Sequence, residues 1–69
     1  MEKELALIDE IIEQTNRSLT GAKRDLQFYS KHNFNTKSTE ESIKKYEDKI
    51  NTLNSIRTTI VAYYESMRS

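Results

Sequence analysis

Residues 5–29 read LALIDEIIEQTNRSLTGAKRDLQFY, and within this run Leu5, Ile8, Ile12, Thr15, Leu19, Ala22, Leu26 and Tyr29 step 3, 4, 3, 4 along the chain. A mean repeat of 3.5 residues places every member on one seam of a helix, the spacing at which two helices interlock side chains along their length. A second run follows the same rule: Ile43, Tyr46, Ile50, Leu53, Arg57, Ile60, Tyr64 and Met67. Two seams in one short chain predict an all-α fold, an antiparallel two-helix hairpin of coiled-coil character.

The segment between the seams supports that reading. Ser30 to Lys37 carries no seam, and its Asn33 and Asn35 tolerate the left-handed backbone that ends helices. Helix one is expected at about residues 2–31, the turn at about 32–37 and helix two at about 38–67, all within one domain spanning residues 1–69. Helix one is then roughly 30 residues and about 45 Å long. Its single glycine, Gly21, weakens it by roughly 1 kcal/mol relative to alanine. Glu2, Glu4, Asp9 and Glu10 oppose the positive end of its dipole. Ser38-Thr39-Glu40-Glu41 matches the capping-box pattern, with Ser38 accepting from the Glu41 amide, so helix two is expected to begin at Ser38 or Thr39. A short turn forces the helices antiparallel. In the resulting register Leu26 lies beside Ile43, Leu19 beside Ile50, small Ala22 opposite large Tyr46, Ile12 beside Arg57 and Leu5 beside Tyr64.

At 69 residues a chain encloses little interior, and such scaffolds are usually reinforced by disulfides, a metal, very good packing or self-association. There is no cysteine and only one histidine, His32, which excludes disulfides and a thiolate or multi-histidine zinc site. Packing and association remain. The seams also widen toward the free ends, where Leu7 and Ile11 join Leu5, Ile8 and Ile12, and where Ile56, Val61 and Tyr63 join Ile60, Tyr64 and Met67. One partner helix cannot cover all of these, and a second copy covering them predicts a homodimeric four-helix bundle. These eleven residues form the expected dimer interface. Thr15 and Arg57 interrupt the seams with polar groups, and such positions can fix register and oligomeric state. Asp9 or Glu13 is positioned to pair with the Arg57 guanidinium, which otherwise reaches solvent along its methylenes.

Eleven basic residues balance eleven acidic ones, so the whole chain carries no electrostatic case for nucleic acid or an anionic membrane. The distribution is uneven. Residues 1–13 hold five acids against Lys3, while residues 14–37 hold Arg17, Lys23, Arg24, Lys31 and Lys37 against Asp25. Arg24, Phe28, Lys31, His32, Phe34 and Lys37 thus make a basic, aromatic tip, a composition able to stack on bases. Glu40, Glu41, Glu47 and Asp48 offset that charge nearby, and aromatics at a turn commonly cap a core.

His32 has no serine, cysteine or carboxylate at a triad-like spacing, and no glycine-rich phosphate loop occurs. Asp9 and Glu13 lack the Glu-x-x-His that di-metal bundles require. No catalytic residue, cofactor or metal is expected. An acidic amino terminus and the lack of an apolar run of about 18 residues argue against a signal peptide or membrane span, and a cytoplasmic location is expected. Abundant Lys, Asn and Ile without proline is a bias of AT-rich coding, pointing to a bacterium or phage. The expected function is a non-enzymatic protein–protein interaction module, an adaptor, inhibitor or regulator whose partners are itself and another protein. A nucleic-acid-associated protein using the tip and a structural assembly protein are the alternatives.

Overall fold

The structure is a computed structural model and describes residues 2–68. It consists of two helices, α1 (Glu2–Lys31) and α2 (Lys37–Arg68), packed antiparallel into a rod whose Cα extents are 57 × 15 × 12 Å. The all-α helical hairpin read from the two seams is the fold.

Every α1 ladder position is covered by α2 to some degree. Ile8, Thr15 and Ala22 are the buried residues among those described, with exposures of 8, 5 and 8 %, and their sevenfold spacing makes them the centre line of the contact. Leu5, Ile12, Leu19, Leu26 and Tyr29 flank that line half-buried. On α2, Ile43, Tyr46, Ile50, Leu53, Arg57, Ile60 and Tyr64 are half-buried, and only Met67 at the end of the ladder is exposed. A direct side-chain bond crosses between the helices, Arg57 Nε to Asp9 Oδ1 at 2.8 Å. Ala22 and Tyr46 line one groove between the helices, the small-against-large match that close approach requires.

Helix α1 ends in a Schellman motif. Asn33 has φ 60°, the amide of Phe34 donates to the Tyr29 carbonyl at 2.8 Å, and that of Asn33 donates to the Ser30 carbonyl at 3.3 Å. These are the 6→1 and 5→2 bonds that satisfy the last carbonyls of a helix. The accompanying contact between the residue after the left-handed position and the last helical turn is aromatic here: the Phe34 and Tyr29 rings meet edge to face at 6.0 Å.

The start of α2 corrects the sequence reading. Lys37 is already helical, so the turn closes at Thr36 and not at Lys37. The Thr36 carbonyl accepts from the Glu40 amide at 2.9 Å, while Asn35 Oδ1 accepts the Lys37 amide at 3.0 Å. Ser38 therefore lies inside the first turn instead of capping it. The reason is local competition: an asparagine placed two residues before Lys37 reaches its amide as an Asx turn, and the helix nucleates before the Ser38 hydroxyl is needed.

Two substitutions follow from the backbone. A Cβ added at Gly21 meets nothing within 4 Å, so Gly21→Ala is expected to stabilise the fold by about 1 kcal/mol through helix propensity. At Asn33 a side chain that cannot stabilise positive φ is penalised, so Asn33→Ala should cost about 1 kcal/mol whereas Asn33→Gly should not. Thermal melts at one fixed protein concentration check both, since about 1 kcal/mol moves the midpoint of a domain this size by roughly 4–8 °C.

Candidate functional site

The two long faces of the rod differ in chemistry. On α1, Ile11, Ser18 and Asp25 are seven residues apart, as are Leu7, Gln14 and Gly21; on α2 the row is Ser42, Lys49, Ile56 and Tyr63. Ser18, Gly21 and Asp25 share a groove with Ser38 and Ser42, which shows that these α1 and α2 rows lie on the same side of the hairpin. Helical rotation of about 100° per residue carries that side toward the open end through Leu7 and Ile11 on α1 and Ile56, Tyr63 and Met67 on α2. Along this one face the chain changes from polar near the turn to apolar near the free ends.

The apolar half of that face is uncovered. Leu7 is 58 % exposed, Ile56 44 %, Tyr63 62 % and Met67 66 %, with Ile11 and Ile60 half-buried beside them. The Tyr63 ring stands edge to face on Tyr64, centroids 5.8 Å apart. Tyr64 is half-buried and Tyr63 is not, so the pair spans from the seam to the outer surface. Of the expected interface residues, Ile8 is already buried by α2 within the hairpin. Leu5, Ile12 and Val61 are half-buried and project to the other side of the seam. The sequence showed a widened end; it did not show that the excess collects on one side.

The opposite face is charged. Asp9 and Arg57 bridge the helices there, and further along a groove is lined by Asn16, Leu19, Lys44, Glu47, Asp48 and Ile50. Arg57 and Asp9 side chains are 42 % and 53 % exposed, which places their bond in a well-solvated setting worth about 0.2–1 kcal/mol. Of the two acids within reach of Arg57, Asp9 takes it; Glu13 pairs with Arg17 along α1 at 2.6 Å. Thr15 does not pair with Arg57 either. Its hydroxyl donates to the Ile11 carbonyl one turn back at 2.7 Å, which satisfies a buried polar group locally.

At the turn end, Phe28 packs on His32 with ring centroids 4.4 Å apart and on Tyr29 at 5.9 Å, and His32 lies 6.4 Å from Phe34. The tip aromatics thus contact one another around the Schellman cap. Phe28 and Phe34 keep an exposed side, and Arg24, Lys31 and Lys37 are exposed around them. Among the described residues, no group of three or more His, Asp or Glu is placed to hold a metal ion, and no helix is long and apolar enough to cross a membrane.

Comparison with known proteins supplies no family: no family model, no curated protein and no solved structure matches the chain.

The exposure of the Asp9–Arg57 pair generates a prediction. A seam position held by a solvated arginine gains more from apolar contact than it loses from one surface ion pair, so Arg57→Leu is expected to raise the thermal midpoint. A drop of several degrees, or an altered solution mass, would show instead that the guanidinium sets the register.

Proposed function

We propose that this protein is a non-enzymatic protein–protein interaction module that works as a homodimeric helical bundle. The observation that carries the reading is surface area. The hairpin exposes 5649 Å², whereas a compact monomer of 8.1 kDa is expected to expose about 4,500 Å². The excess is roughly 1,100 Å² per chain, and two such excesses amount to the roughly 2,000 Å² or more that obligate homodimers bury.

Two helices alone form a single layer-to-layer contact, and the conformational entropy of fixing some seventy residues is offset poorly by the three side chains buried among the described residues. A second hairpin adds the missing layer. The charged face and the outward positions Lys3, Glu10, Arg17, Arg24, Lys45, Thr52 and Thr59, all exposed, then remain available to a protein partner. An adaptor, inhibitor or regulator of bacterial or phage origin, acting in the cytoplasm, is the role consistent with this chemistry: a rigid rod with addressable helix faces and a sequence that offers no triad-like spacing or phosphate loop.

Solution mass tests the reading directly. Light scattering or sedimentation equilibrium at micromolar concentration should return about twice the 8.1 kDa of one chain. A folded, monodisperse species of one chain mass at millimolar concentration would overturn it.

A further inference from the structure

We infer that the side of α1 turned away from α2, between Arg17 and Lys31, receives an acidic helix of a protein partner. This rests on the interaction-module reading above and names the partner's chemistry and the surface it uses.

Shape is the first observation. Arg17, Thr20, Gly21 and Arg24 line an open depression whose lining residues all belong to α1. They stand at i, i+3, i+4 and i+7, the diamond into which a neighbouring helix inserts one side chain in knobs-into-holes packing. Gly21 brings no side chain to it, and the place where a Cβ would stand is open. The bond from Arg17 to Glu13 at 2.6 Å draws that guanidinium back toward the preceding turn. Arg24, Gln27, Phe28 and Lys31, all exposed, form the next diamond, one heptad and about 10.5 Å further along the axis.

Sign is the second. Arg17, Arg24 and Lys31 stand seven residues apart at the poles of the two diamonds, and all three are exposed. Asp25 is the one acid between residues 14 and 37; it lies in the groove with Ser38 and Ser42, roughly a quarter of a turn from this side at about 100° per residue. Among the described residues, Arg24 and Lys31 have no ion-pair partner. The outward row of α2 differs. It reads Lys37, Glu41, Lys44 and Asp48, alternating in sign, so each charge is offset one turn away. Those acids stand on the far helix, about 8–10 Å from α1 between axes, a separation at which solvent ions screen exposed charges.

The occupant follows from shape and sign together. A helix repeats its side chains with the same seven-residue period as Arg17, Arg24 and Lys31, so an apolar residue in each diamond, over Gly21 and against Phe28, brings acids on its flanks level with Arg24 and Lys31. A polynucleotide would meet the charge but has no side chain to fill the hole at Gly21, and a chain of zero net charge offers it no broad basic footprint.

Fluorescence anisotropy with the full chain and a labelled synthetic helix of about three heptads, leucine at one heptad position and glutamates flanking it, measures the contact. The acidic helix should bind, less tightly as salt rises, and about tenfold or more tighter than the same peptide with lysine for each glutamate. A scramble of its own composition should also bind more weakly. Arg24→Glu combined with Lys31→Glu should weaken binding about tenfold or more. Gly21→Gln fills the hole while favouring the helix, so it should weaken binding without lowering the thermal midpoint; Glu47→Lys on α2 should leave binding unchanged. Equal binding of the scramble, or of a single-stranded oligothymidylate, would overturn the helix as occupant in favour of any polyanion. No binding of the acidic helix, or binding indifferent to Gly21→Gln, would overturn the surface. Solution mass keeps the two readings apart: chain mass with the acidic helix still bound overturns the homodimer alone, and dimer mass with no preference among the peptides overturns this surface alone.

Discussion

The close line of contact between the helices, Ile8, Thr15 and Ala22 against α2, is the constraint on which the rest of the structure depends. Among the described residues, only here is water excluded almost completely. The residues on this line are of modest size toward the turn, which lets the helices approach and lets the large Tyr46 sit across from Ala22. The longer side chains of the neighbouring row, Leu5, Ile12, Leu19 and Leu26, are then pressed against α2 but not enclosed. That is a geometric property of two cylinders in contact: a single line is buried, its flanks are half-buried, and everything beyond is wet. No choice of side chains changes it without adding a third or fourth helix.

What the sequence revealed follows from that geometry. Both ladders are periodic because each must keep one stripe toward the other helix, and all their members except Met67 are at least half-buried. The left-handed end of α1 was legible in the asparagines of the turn, and Asn33 adopts it. The start of α2 was not read correctly, because Ser38-Thr39-Glu40-Glu41 and Asn35-Thr36-Lys37 are both plausible helix entries at the level of residue type. Which one operates is decided by the Schellman turn, which delivers the chain to Asn35 with its side chain already against the Lys37 amide. Thr15 shows the same limit. Its proximity to Arg57 could be inferred from register, but the hydroxyl bonds one turn back on its own helix, a local option that periodicity does not encode.

The sidedness of the open end was also beyond the reach of pattern alone. A widened stripe on each helix is visible in the residue types, yet whether the two extra rows meet on one side depends on the antiparallel sense and the right-handed rotation of both helices together. Leu7 and Ile11 rotate away from the seam in the same direction as Ile56, Tyr63 and Met67, so the rows join. Val61 and Leu5 rotate the other way and remain beside the Asp9–Arg57 bond. At the turn, composition offered both a binding tip and aromatics that cap the core; the rings contact one another, while Phe28 and Phe34 keep an exposed side. Phe34 against Tyr29 completes the cap of α1, with the Phe28 and His32 rings in tilted contact alongside.

In the homodimer proposed above, folding and association are coupled. The seam supplies enough order to define two helices and their register, but each hairpin leaves apolar side chains in water whose burial is worth roughly 25 cal/mol per Å². In the proposed dimer that burial occurs only when a second chain arrives, so the stability of the fold becomes a function of protein concentration. In that proposal the same division accounts for the polar and small residues kept in the seam. A hairpin that gained full stability from a wholly apolar seam would have little need of a second copy; one with Thr15, Ala22 and the solvated Arg57 on its contact stripe holds its shape while leaving part of its stabilisation to the proposed interface.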